Sequence, residues 1–413
     1  MNVKKKMILG LAVMTAGTTL LYANGGATLA HAQAETQAVN QLETQAKSTS
    51  TTPNVLLNKT NTDAQKKAVT QALDDILAKG VPGVLAQSLK DGVKWDYAAG
   101  KANVHSGRSM QPDFHFRIGS TSKTFTATVA LQLVGEGKLS LDDTLEKWLP
   151  GVVQGNGYDA SKITLKQLLN MTSGIASYTS SEQFTKGMIE NRFKTYQPDD
   201  LVKMALQQKP LFAPGTQWSY SNTNTVLVSL MIEKATGQTH AEQIKQRIIE
   251  PLKLTHTYVP GKSQKLPEPH ARGYYAYKPD KSLEDFTEQN VTVAHAAGEM
   301  ISSNADINRF FSELLSGKLL KPEQMKQMFE SPIDSPLGRY GLGIYERKLS
   351  NGHAVWGHDG SIPGYATFVG GTLGGKHVIN FNINLLSGDI KQMTSILEAG
   401  NKVFEAEFAQ SAK

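Results

Sequence analysis

Three short groups of residues carry types and spacings that can do chemistry. Ser120-Thr121-Ser122-Lys123 sets a hydroxyl and an amine three positions apart, just ahead of the apolar run TFTATVALQL at 124–133. Residues i and i+3 share one face of a helix, which brings Lys123 beside the Ser120 hydroxyl. A helix N-terminus carries partial positive charge, which disfavours an ammonium and favours a developing oxyanion. A buried lysine with a lowered pKa can then take the serine proton. Taken alone, the pair fits equally an N-cap serine with a surface lysine. Tyr220-Ser221-Asn222 follows the Pro214-Gly215 turn and Trp218 and leads into TNTVLVSLMIEKATG. A tyrosine near a lysine can shuttle a proton to a leaving group, and an asparagine can hold a substrate carbonyl. His358-Asp359-Gly360 ends the strand-like run Ala354-Val355-Trp356. Gly360 lets a substrate approach the strand edge, and the N–H of Ser361 can face a carbonyl oxygen. By themselves these two groups read as a capped loop and a structural histidine.

Other chemistries are excluded by pattern. The sequence has no G-x-S-x-G elbow, no H-E-x-x-H, no P-loop and no G-x-G-x-x-G, and its histidines are scattered, so neither a metal nor a cofactor is called for. Tyr274, Tyr275 and Tyr277 form an aromatic cluster best read as packing or cleft wall. No basic run interleaved with aromatics suggests nucleic acid.

The elements that must position these residues follow from periodicity. AQKKAVTQALDDILAKG (64–80) has helical spacing and ends on glycine; 81–89 and 94–99 read as strands joined at Asp91-Gly92. Helices are expected after Ser120, over 163–174, 224–236 and 240–249, and from 390 to 408. AVWGHDG, ATFVGG and HVINFNINLL read as strands separated by Gly-rich turns. Strands at both ends of the domain and helices in the middle imply an α/β (α+β) fold, with one antiparallel sheet flanked by helices and a helical subdomain inserted over roughly 137–295.

The 413 residues, net charge +6, suffice for a large core without disulfides, and there is no cysteine. Lys4–Lys6, an apolar stretch to Tyr22 and Ala30-His31-Ala32 fit a signal peptide over 1–32, cleaved before Gln33, leaving no stable membrane span and a secreted, wall-associated product. The Gln/Thr/Ser/Asn-rich stretch 33–61 reads as a flexible linker, and the domain as 62–413.

In this order the three groups resemble the signature elements of the serine penicillin-recognising enzymes, a family that includes class C β-lactamases. The histidine form of the third group looks most like secreted D-Ala-D-Ala carboxypeptidases, D-stereospecific peptidases and related esterases. LLNMTSG (168–174), PGTQWSYSNTN (214–224), AAGEMISSNADINRFFSELLSGKLL (296–320), YGLGI (340–344) and GHDGSIPGY (357–365) add to the likeness. The resemblance implies the β-lactamase/DD-peptidase fold and an acyl-enzyme on Ser120, with Lys123 and Tyr220 handling protons and either serving as base. It further implies that Asn222 holds the substrate amide, that His358 tunes the hydrogen bonding around Tyr220, and that Ser120 and Ser361 supply the oxyanion N–H groups beside Gly360. The implied partner is a D-amino-acid peptide or peptidoglycan stem, with β-lactams as acylating inhibitors. D-Ala-D-Ala carboxypeptidase activity is the first expectation; a D-stereospecific peptidase or esterase is the second, ahead of a class C β-lactamase and of a catalytically idle binding protein. Asp359 departs from the carboxypeptidase pattern: a carboxylate there repels a free C-terminus unless Arg347 or Lys348 compensates.

Overall fold

A computed structural model describes residues 53–409 of the chain. The expected signal peptide and most of the expected linker lie outside the described residues. Among those described, no helix is long and apolar enough to cross a membrane. The first helix, α1 (Pro53–Leu77), begins inside the stretch read as linker. Proline is accommodated in a first helical turn, and residues 54–62 contain no glycine or further proline to stop the helix.

The polypeptide builds a nine-stranded, wholly antiparallel sheet from its two ends. β1 (Gly83–Lys90) and β2 (Val93–Gly100) come from the N-terminal part. The C-terminal part gives β3 (Ile333–Ser335), β4 (Gly338–Tyr340), β5 (Tyr345–Lys348), β6 (Ala354–Gly357), β7 (Gly360–Ile362), β8 (Tyr365–Gly371) and β9 (His377–Ile383). The order is β2-β1-β9-β8-β6-β5-β4-β3, with β7 also paired to β8. No strand of this sheet comes from 137–295, which supplies mostly helices.

Both faces of the sheet are covered, and successive residues of β8 show how. Side chains alternate across a strand. At Gly370 an added Cβ would meet Phe404 of α5 (Ile390–Glu407); at Gly371 it would meet Leu315. Leu315 ends α4 (Asn304–Leu315), which packs on the other face and ties in through Asn308 Nδ2 to the Gln87 carbonyl, 2.9 Å. β8 and β9, wedged between these layers, are buried almost throughout, as a sheet covered on both sides requires.

Two expected elements end early, for local reasons. The helix expected over 163–174 stops at Leu169, because the Asn170 side chain takes the Thr172 hydroxyl at 2.6 Å and Met171 turns left-handed at φ +65°. The loop this creates is used: the Met171 carbonyl accepts from Ser219 N at 3.0 Å and so sets the approach to Tyr220. The strand read through 354–360 breaks at His358-Asp359. Its register against β8 is unchanged across the break, Trp356 opposite Gly371 and Gly360 opposite Thr367.

Candidate active site

A short turn delivers the nucleophile. Phe116-Arg117 pairs with Ile301-Ser302, and a 3₁₀ turn at Gly119–Thr121 then feeds α2 (Ser122–Gly135). Gly119 is left-handed at φ +52°, and a Cβ there would sit 2.5 Å from Ser361 N. A Cβ on Gly360 would lie 1.9 Å from the Ile118 carbonyl and 2.7 Å from Ser120 N. Only two glycines let β7 cross this close to the turn, and the crossing sets the Ser120 and Ser361 amides side by side. Thr121 Oγ1 locks it by donating to the His358 carbonyl at 2.9 Å.

Lys123 is buried, and its Nζ lies 3.1 Å from Ser120 Oγ, 2.7 Å from Asn222 Oδ1 and 2.6 Å from the Ala297 carbonyl. Desolvation holds its pKa well below that of an ordinary lysine, which favours the neutral amine. A neutral amine has two N–H bonds and one lone pair. Asn222 Oδ1 and the Ala297 carbonyl are pure acceptors and take the two hydrogens. The lone pair is left facing Ser120 Oγ–H, the orientation a base needs. Asn222 opens α3 (Asn222–Thr236), and its Nδ2 donates to Thr179 Oγ1 at 3.2 Å, so its oxygen is fixed on Lys123.

Tyr220 is hydrogen-bonded to Ser120 as well. Desolvation raises its pKa most; the bond to Ser120 opposes this and the Asp359 charge adds to it, so the phenol keeps its proton. Lys123 Nζ lies 4.9 Å from its ring centre. Hydroxyl, amine and phenol therefore meet; helix spacing implied the first two, and the family resemblance implied the third, a hundred residues from Ser120.

His358 does not meet the expectation placed on it. Its Nδ1 faces the Asp359 carbonyl at 2.6 Å and its Nε2 faces Tyr340 Oη at 3.0 Å. A carbonyl can only accept, so Nδ1 carries the hydrogen and Nε2 accepts from Tyr340. The imidazole is thus committed to Tyr340; it stands 6.2 Å from Tyr220, centre to centre. Burial, the largest cause, pushes its pKa down to about 3. The expected tuning of the hydrogen bonding around Tyr220 is accordingly corrected to a bond with Tyr340 from an imidazole that stays neutral near pH 7.

Asp359 lines the cleft, and its Oδ2 accepts from Arg347 Nη2 at 2.7 Å. The same Nη2 lies 3.0 Å from Tyr345 Oη. Arg347 is therefore turned onto Asp359 and is not among the residues that line the cleft, so it offers no cation there to a substrate carboxylate. The cavity, about 230 Å³, is bordered by Ser120, Tyr220, Asn222, Asp359 and Ser361 on its polar side and by Phe184, Met188, Val293 and Ile362 on its apolar side. Among the described residues lining it, Asp359 is the one charged side chain. Of the tyrosine cluster, Tyr275 and Tyr277 pack on Phe286, and none of the three borders the cleft. No group of three or more metal-ligating side chains occurs among the described residues.

Sequence reasoning missed Tyr340, Thr179 and the Ala297 carbonyl. Tyr340 lies in the quoted YGLGI stretch, whose likeness was its only signal; a backbone carbonyl leaves none.

The profile of the family described as Beta-lactamase matches residues 66–392. The chain belongs to that family. Among curated relatives it is 27% identical over 290 residues to "Putative penicillin-binding protein PbpX" of Bacillus subtilis, covering 70% of this chain and 66% of that one. It is 28% identical over 292 residues to "Penicillin-binding protein 4*" of the same organism, covering 67% and 62%. The match spans just under two thirds of these relatives' own length. Among solved structures it resembles a D-stereospecific amidohydrolase from Streptomyces sp., with 42% identity, TM-score 0.76, and 83% and 98% of the two chains covered. A D-amino acid amidase from Ochrobactrum anthropi SV3 gives 28% identity and TM-score 0.73, with 83% and 98% covered. The fold and the penicillin-recognising family read from the motifs are thereby established for this chain.

Proposed function

We propose that the protein is a D-stereospecific serine amidohydrolase that cleaves amide bonds lacking a free carboxylate on the leaving side, and that D-Ala-D-Ala carboxypeptidase activity is secondary at most. The observation that carries this reading is the Arg347–Asp359 pair. A carboxypeptidase needs an uncommitted cation for the substrate's terminus. Here the cleft presents Asp359, with Arg347 turned onto it. Asp359 also acts on Tyr220, the group placed to protonate the leaving nitrogen, so its charge is felt on the leaving side. A carboxylate brought there meets repulsion; a neutral amide does not. The D-preference is carried over from the Streptomyces and Ochrobactrum enzymes.

In this mechanism neutral Lys123 takes the Ser120 proton as Oγ attacks the carbonyl carbon. The oxyanion is held by the N–H groups of Ser120 and Ser361. Tyr220 gives its proton to the departing nitrogen and regains one from the Lys123 ammonium. Water then cleaves the ester on Ser120, with the same groups moving protons in reverse.

The test compares kcat/KM for one D-aminoacyl peptide as C-terminal amide and as free acid. The amide should be favoured by about tenfold or more, the size of one screened charge contact, and Asp359→Asn should narrow the gap. Faster turnover of the free acid by the wild-type protein would restore the carboxypeptidase reading.

A further inference from the structure

We propose that Glu299, behind the cleft, is a positioning residue that aims the Lys123 lone pair at Ser120. The inference rests on Lys123 being the base. That role needs the Ala297 carbonyl on Lys123 Nζ, because this contact and Asn222 together use up the amine's hydrogens. The carbonyl is presented by an unusual turn. Ala296 is left-handed at φ +54°, a conformation a residue with a Cβ rarely adopts without support.

Glu299 provides that support. Its side chain is buried, and Oε1 accepts from Ala296 N at 2.8 Å. The other ties of the turn converge on the same place. Thr126 Oγ1, one turn beyond Lys123 on α2, lies 3.3 Å from the Ala296 carbonyl and 2.9 Å from His240 Nε2. Gly298 N donates to the Ala294 carbonyl at 2.8 Å, and a Cβ on Gly298 would lie 3.5 Å from Gly119, so the turn is seated against the nucleophile's own loop. Nδ1 of His295 and of His240 stand 3.6 and 3.9 Å from Glu299 Oε1. Glu299 is not among the residues that line the cleft; it acts through the backbone it holds.

Loss of the acceptor lets Ala296 relax toward negative φ and swings the Ala297 carbonyl off Lys123. The amine then turns, and its lone pair leaves the Ser120 proton. A misplacement of about 1 Å at a reacting group costs on the order of a hundredfold in rate.

The experiment measures acylation of the full protein by a chromogenic β-lactam, separating the non-covalent dissociation constant from the acylation rate constant. Melting temperature is recorded for every variant. Glu299→Met, which keeps length and buries an apolar group, should lower the acylation rate about ten- to a hundredfold with the dissociation constant unchanged. Glu299→Gln keeps an acceptor for Ala296 N and should stay within about threefold of wild type. Wild-type acylation by Glu299→Met, or a loss in Glu299→Gln equal to that in Glu299→Met, overturns the proposal. If Glu299→Met does not fold, Glu299→Gln and Ala296→Gly decide. Glycine adopts the left-handed turn without the Cβ penalty alanine carries, so Glu299→Ala combined with Ala296→Gly should recover acylation relative to Glu299→Ala alone. Lys123→Ala is run alongside: if it acylates at the wild-type rate, the reading of Lys123 as base fails, independently of Glu299.

Discussion

His358 and Lys123 stand within one site and are both held uncharged by burial, yet they answer pH differently. The His358 pKa lies near 3, so the ring is neutral throughout pH 5–8 and contributes no titration there. Lys123 is lowered from the ordinary lysine range, and protonating it removes the lone pair that faces Ser120. The acylation rate should therefore fall as pH drops through the Lys123 pKa, and the position of that limb should be the same in His358→Gln. Stopped-flow acylation from pH 5 to 9 checks this. A limb near 6.5 in the wild type that vanishes in His358→Gln would return the imidazole to the proton chemistry. At this scale the sequence was legible where chemistry sits in side chains. Ser120 and Lys123 could be paired because helix geometry fixes their spacing. His358 could be found but not oriented, because its partner Tyr340 comes from another strand.

Between elements, the decisive contact is β7 lying across the turn before α2. Two amides have to converge there, and glycine at 119 and 360 is what allows it. Gly360→Ala should push the strand from the turn, separate the Ser120 and Ser361 N–H groups and lower acylation by about a hundredfold or more, the scale of losing one oxyanion donor. The protein should remain folded, since β8 and β9 hold the sheet without β7. Circular dichroism beside acylation kinetics reads both; unchanged kinetics in Gly360→Ala would remove the oxyanion assignment. Element types were legible from periodicity, as the helix after Ser120 and the β1–β2 hairpin show. Their ends were less so. The helix over 165–169 stops where Asn170 and Met171 adopt a loop that periodicity does not encode, and the interruption at His358-Asp359 follows from tertiary bonds to Thr121 and Tyr340.

For the whole molecule, a groove forms because the sheet is closed by the chain's two ends while the middle builds the opposite wall. Ser120 comes from the turn before α2 and Lys123 from the start of α2, Tyr220 and Asn222 from the entry to α3, Ala297 from the turn that follows the inserted segment, and Asp359 to Ser361 from β7 and the residue before it. This convergence was legible only through likeness to a family, since no local pattern encodes contacts between residues 123 and 297. The account stands on one covalent bond, and peptide-level mass spectrometry after brief exposure to a labelled penicillin or a D-aminoacyl ester reads it directly. The adduct should map to Ser120, be absent in Ser120→Ala and form at least about a thousandfold more slowly in Lys123→Ala, as expected when a nucleophile loses its base. An adduct on another residue, or wild-type turnover by Ser120→Ala, would contradict it.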